Sequence, residues 1–192
     1  MTGQAHHRLT QAAGYADGVL GAVTEALLAR PTPCRGWNLG MLLEHVGESL
    51  AALHEGVSAQ PVALDAAFPG LDPVDRCAAT LVGTVRQRTA ALLGLSARAD
   101  GDAPVSVGAH PLPLDCLLTV GALEIAVHAW DISLACGQGW PIPDELAADL
   151  LTQAQVLVPR LDREPLFAAP APVGAAGTPS DQLIAYLGRT GG

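Results

Sequence analysis

Apolar residues recur at helical spacing along most of the chain. Ala12, Ala13, Ala16, Val19, Leu20, Val23, Leu27 and Leu28 share one face, predicting a helix over Gly3 to Leu28 that Pro31 and Pro33 cannot extend. Leu39, Leu42, Leu43, Val46, Leu50 and Leu53 form the stripe of a second helix, with Asn38 as its N-cap and an end near Glu55. Gly56 to Leu71 reads as connection. Asp72-Pro73 then supplies a cap and first helical residue for a third helix to about Leu93, carried by Leu81, Val85 and Leu92.

Val105 to Val107 and His110 to Leu114 flank Gly108 as a short β-hairpin. Asp115 is then expected to cap a long apolar helix through Cys136, stopped by Gly137. A fifth helix is expected from Pro143-Asp144 to about Val158. Arg160 to Pro179 is rich in Pro, Ala and Gly and reads as an extended surface segment, before a short helix from Ser180 to Leu187. No internal repeat interrupts this order, so residues 1–192 are expected to form a single domain.

Composition narrows the picture. Apolar residues make up 49% of the chain and charged residues 15%, enough to build a core rather than a disordered segment. That apolar content is mostly Ala, Leu and Val, which suits packed helices. The net charge is −9 and the ten basic residues, all Arg, are scattered, which argues against nucleic acid and anionic membrane surfaces as partners. Cys34, Cys77, Cys116 and Cys136 show neither zinc-knuckle nor disulfide-framework spacing, and no signal peptide is apparent; a cytoplasmic location is expected. Cys116 to Cys136 is long and apolar enough to span a bilayer, but it carries Glu124, His128 and Asp131, so a buried bundle helix fits better.

Those three polar residues are the chemical signal. On a helix, Glu124 and His128 lie about 40° apart, with Asp131 close to the same line and Gly121 beside them. A carboxylate on so apolar a helix costs on the order of several kcal/mol unless paired or metal-bound. Glu and His at this spacing can present an oxygen and an imidazole to one ion. A buried Glu–His hydrogen bond that only fixes helix register accounts for the spacing equally well. His45, at the edge of the second stripe, is the best third donor. His54 falls on the opposite side of that helix, His6 and His7 lie near a terminus expected to fray, and His110 sits in the hairpin.

The run Pro31-Thr32-Pro33-Cys34-Arg35-Gly36-Trp37-Asn38-Leu39, followed by Leu42-Leu43-Glu44-His45-Val46, resembles the DinB-like superfamily. With Glu124-Ile125-Ala126-Val127-His128-Ala129-Trp130-Asp131 and the closing Asp181 to Arg189, it is similar to the actinobacterial metal-binding branch related to mycothiol-dependent maleylpyruvate isomerase. The resemblance implies an all-α fold, a DinB-like four-helix bundle with an extra C-terminal helix. It implies one divalent metal ion, zinc or else nickel or iron, held by His45, Glu124 and His128 with a position left open. Asp131 is then expected outside the ligand set, orienting a ligand, and Cys34 as a packed thiol.

The activity implied is that of a metal-dependent thiol transferase or isomerase, with mycothiol as cosubstrate and a small electrophilic metabolite as substrate. Two alternatives stand beside it: a thiol-independent metal-dependent hydrolase or cyclase/isomerase, and a non-catalytic metal-binding stress protein, with a homodimer left open. In the isomerase a second, C-terminal domain supplies a catalytic Arg. This chain is expected to lack it, leaving Arg35, Arg86 and Arg88 as mid-chain substitutes without a spacing argument for any of them.

Overall fold

The computed structural model describes residues 2–58, 76–98, 104–107, 110–158, 163, 167–174 and 176–190. Its elements are α1 (Thr2–Leu20), a single 3-10 turn (Glu25–Leu27), α2 (Leu39–Val57), α3 (Ala78–Ser96), β1 (Pro104–Val107), β2 (His110–Pro113), α4 (Leu114–Ala135), α5 (Asp144–Leu157) and α6 (Pro179–Tyr186). This is the expected all-α architecture. Helices α1 to α4 form the bundle, with α4 against α1 and α2, and α3 against α2 and α1; α5 lies on α4 and α1 and carries α6.

Helix α4 organises the rest. Apart from the line of Glu124, His128 and Asp131 it is apolar, and all of Leu114, Leu117, Leu118, Ala122, Ile125, Ala126, Ala129 and Ile132 are buried. A helix so nearly apolar must be surrounded, so three neighbours close around it. Gly121 marks the tightest approach: a Cβ there would lie 3.3 Å from a methyl of Leu53 and 3.5 Å from one of Leu9. Although long and apolar enough to cross a membrane, its most apolar stretch is 78% buried inside the fold. Leu39, Leu42, Leu43 and Leu50 of α2 bury the stripe read from the sequence, and the Asn38 side chain accepts from the Met41 N–H at 2.9 Å, as expected of its N-cap.

Three boundaries differ from expectation. Helix α1 stops at Leu20 rather than Leu28. Gly18 and Gly21 weaken the last turn, and Ala22 and Val23 bond only three residues back, to Val19 and Leu20. The 3-10 turn that follows places Glu25, whose carboxylate accepts from the Ala78 N–H at 2.7 Å. That contact defines the second difference: α3 starts at Ala78 behind an extended Cys77, whereas the Asp72-Pro73 cap lies outside the described residues. Third, α4 begins two residues early. Pro113, at the end of β2, occupies the N-cap without a side-chain bond, and Asp115 falls in the first turn, where a carboxylate suits the positive end of the helix dipole.

The hairpin pairs Val105 with Leu112 and Val107 with His110, while Gly108 lies outside the described residues. Gly137 ends α4 at φ 77° as a Schellman cap: its N–H bonds Leu134 O, and that of Gln138 bonds Ser133 O. Helix α6 has a complete capping box, in which Thr178 and Asp181 each accept from the other's backbone N–H.

Candidate metal centre

Glu124 and His128 stand one turn apart on α4, with His128 Nε2 3.3 Å from Glu124 Oε1. His45, on α2, brings its own Nε2 to 3.1 Å from the same oxygen. The two imidazoles meet edge to face with centroids 5.2 Å apart, and the donor atoms of all three residues lie within 4.8 Å of one another. The α2–α4 contact is therefore what assembles the cluster.

The segment ahead of α2 covers it. Residues 31–38 form a clasp closed by the Pro31–Asn38 bridge and a turn from Cys34 to Trp37, with Gly36 at φ 83°, the left-handed value a type II turn needs at its third position. The clasp sets the Trp37 ring 4.6 Å from the His45 ring and points Cys34 toward α4. Burial is graded across the cluster. The side chains of His45 and Glu124 are 35% and 27% exposed, that of His128 9%, and that of Asp131 not at all.

Asp131 forms the floor. Its Oδ2 accepts from His128 Nδ1 at 2.9 Å and from the Cys34 thiol at 3.2 Å. The Arg189 guanidinium holds both carboxylate oxygens, Nε at 3.0 and 3.1 Å and Nη2 at 2.9 Å. Arg189 arrives by way of a Schellman cap on α6, with Gly188 at φ 79°, its N–H on Ala185 O and the Arg189 N–H on Ile184 O.

The electrostatics follow from these contacts. Loss of water opposes charge on Glu124, but the His128 and His45 rings outweigh it and hold the carboxyl well below the usual range. Burial likewise opposes charge on Asp131, and His128 with Arg189 overcomes it in the same direction. Burial opposes a charged His128 as well, yet Asp131, Cys34 and Glu124 push it well above its ordinary value.

The donor set fits a cation. With Nδ1–H committed to Asp131, the His128 Nε2 lone pair points at a carboxylate oxygen that His45 Nε2 also faces. Such a convergence of acceptors needs either a proton or a metal between them. Two His and one Glu with an open position is a donor set used by catalytic zinc. A second trio, Cys34, His128 and Asp131, is equally close-set. It fits a cation poorly, because the Arg189 guanidinium already occupies the charge of Asp131.

Among the other sequence candidates, His6 does not lie in a frayed end: its ring bonds the buried Ser96 hydroxyl at 2.8 Å. The side chain of His110 lies outside the described ones. Arg86 pairs with Asp17 on α1, away from the cluster. The Arg beside the site is Arg189, which sequence reasoning missed; the closing Asp181 to Arg189 run was the available signal.

Residues 9–133 match the model of the mycothiol maleylpyruvate isomerase N-terminal domain. Two proteins of Mycobacterium tuberculosis, from strains CDC 1551 / Oshkosh and ATCC 25618 / H37Rv and both described as uncharacterized, are each 31% identical over 165 residues, 85% of this chain and 85% of theirs. The crystal structure of the mycothiol-dependent maleylpyruvate isomerase superposes with a TM-score of 0.61 at 16% identity, covering 79% of this chain and 68% of that one. At that identity the likeness is one of fold, in keeping with a DinB-like bundle. The matched span includes His45, Glu124, His128 and Asp131 and stops before Arg189. The chain belongs to the family of the mycothiol maleylpyruvate isomerase N-terminal domain.

Proposed function

We propose that this chain is a metal-dependent enzyme that uses a low-molecular-weight thiol, mycothiol or one like it, for transfer to or isomerisation of a small electrophilic metabolite. The observation that carries this reading is the graded exposure of the donor set: His45 and Glu124 face solvent while His128 and Asp131 are sealed beneath them. A purely structural ion site is closed on all sides, whereas a catalytic one keeps a position for a reactant.

His45, Glu124 and His128 would hold the ion, with zinc the best match to two imidazoles and a carboxylate. The ion, when bound, supplies Lewis acidity that acidifies a thiol beside it near neutral pH. The chain's own residues do the rest. Asp131 keeps the proton of His128 on Nδ1 and leaves Nε2 free as a donor. Trp37 covers the His45 ring and limits water on that side. Cys34 is turned to Asp131 and leaves the open position to the incoming sulfur. Kinship with an isomerase domain, and the mycothiol dependence of the isomerase whose fold it shares, support the thiol as cosubstrate.

The test is direct. Cobalt-substituted protein titrated with mycothiol is expected to develop a sulfur-to-cobalt charge-transfer band with altered visible absorption. An unchanged spectrum at saturating mycothiol would remove the thiol from the reading and leave a thiol-independent metal enzyme.

A further inference from the structure

We infer that Arg189 is a positioning residue for the metal centre: it acts through Asp131 to orient His128, so a residue beyond α6 sets the affinity and geometry of a site built on α2 and α4. This rests on the ligand assignment of the preceding section and extends it to a residue that touches no ligand atom.

The chain of contacts is continuous. The guanidinium fork spans both oxygens of Asp131 with three contacts of 2.9–3.1 Å, and Asp131 Oδ2 accepts from His128 Nδ1 at 2.9 Å. His128 Nε2 faces Glu124 Oε1 at 3.3 Å. Asp131 has no exposed side-chain surface, and its other donors, the Cys34 thiol and the His128 ring, carry no obligatory charge. An ionised carboxylate that deeply buried needs a counter-charge, and the fork of Arg supplies it with two-point geometry. Remove that fork and Asp131 is free to rotate. That rotation releases the His128 ring, whose tilt decides where Nε2 points.

The delivery of Arg189 is built as well. Gly188 takes the left-handed turn at φ 79°, and both Schellman bonds are made, so the backbone at Arg189 is fixed against Ile184. A Cβ at Gly188 would lie 2.6 Å from the Ala168 carbonyl oxygen, so the turn is wedged against a neighbouring segment. The side chain of Arg189 is only 16% exposed, which restricts it to the direction of Asp131.

The experiment compares wild type, Arg189→Ala and Arg189→Lys by competitive zinc titration and by the visible spectrum of the cobalt-loaded proteins, each normalised to folded protein by near-UV circular dichroism. Arg189→Ala is expected to weaken zinc binding roughly 10- to 100-fold and to shift the cobalt bands, with Arg189→Lys recovering part of both through its charge alone. Zinc affinity and cobalt bands equal to wild type in Arg189→Ala would overturn the inference, leaving Arg189 a stabilising ion pair. Should Arg189→Ala not fold, Arg189→Lys decides: bands and affinity identical to wild type overturn the inference, and an intermediate loss supports it. If wild type itself binds neither metal, the ligand assignment fails first, a result distinct from a wild type that binds and a variant that binds equally well.

Discussion

His45 Nε2 lies 3.1 Å from Glu124 Oε1 across the packed faces of α2 and α4. Neither residue is near the other in sequence, so the pair exists only when the bundle is assembled. A metal ion that enters between them ties the two helices together, and binding that favours the folded state stabilises it by about 2.7 kcal/mol at a hundredfold excess over Kd.

Purified His45→Ala is accordingly expected to carry little or no metal where wild type carries one ion per chain, as read by elemental analysis. Cys34→Ala, which touches only the trio already neutralised by Arg189, should keep its ion. Equal metal in wild type and His45→Ala would remove His45 from the ligand set, and loss of metal in Cys34→Ala would shift the site to Cys34, His128 and Asp131.

Gly188→Ala is expected to destabilise the protein by roughly 2–3 kcal/mol. The backbone there is left-handed, and the added methyl would sit 2.6 Å from the Ala168 carbonyl oxygen, a backbone atom that cannot swing aside. Urea denaturation measures the change; a loss below about 0.5 kcal/mol would mean that the segment around Ala168 yields freely.

Glu25→Ala is expected to cost about 1 kcal/mol, the usual worth of a helix cap. Its carboxylate accepts from the Ala78 N–H at 2.7 Å, and no side chain within α3's own N-terminus serves that end. Amide hydrogen exchange provides the sharper readout, since the loss of protection should concentrate at Ala78 and the turn that follows it.

Stability of the metal-free protein should depend on pH in a defined way. Glu124 and Asp131 have depressed values, so their contribution is present above about pH 4 and is lost as pH falls through the folded values. His128 has a raised value, so its contribution is complete below about pH 6.5 and is lost as pH rises through the folded value. The cluster therefore stabilises most between about pH 4.5 and 6.5. Thermal melts of metal-free protein should show a falling Tm on the alkaline side, which saturating zinc flattens by replacing the His128 proton. A metal-free Tm constant from about pH 6 to 9 would contradict this balance.

Much of the bundle was legible because its stripes are regular. The Leu39 to Leu53 pattern could only be buried one way, and Asn38 announced its cap. The end of α1 was not, because Val23, Leu27 and Leu28 keep the helical spacing after the backbone has left the helix. Gly18 and Gly21 weaken the last turn, but the contact that holds the chain beyond it, Glu25 to the Ala78 N–H, joins residues that no local window contains together. At the site, Glu124, His128 and Asp131 stood out as polar groups on a helix with no polar face. His45 entered through resemblance, since a His at a stripe edge is common. Arg189 lay in the closing run that carries the resemblance, but its role was not legible for a plainer reason: a short helix after a Pro- and Ala-rich stretch carries no periodic sign of which element it meets.

The uneven covering of the cluster has a stereochemical consequence. With His128 and Asp131 buried on one side of the cluster, an ion held there would be open only toward the partly exposed His45 and Glu124. A planar electrophile resting on that side would show the ion one of its two faces, so a bond formed at that carbon would be made with one handedness.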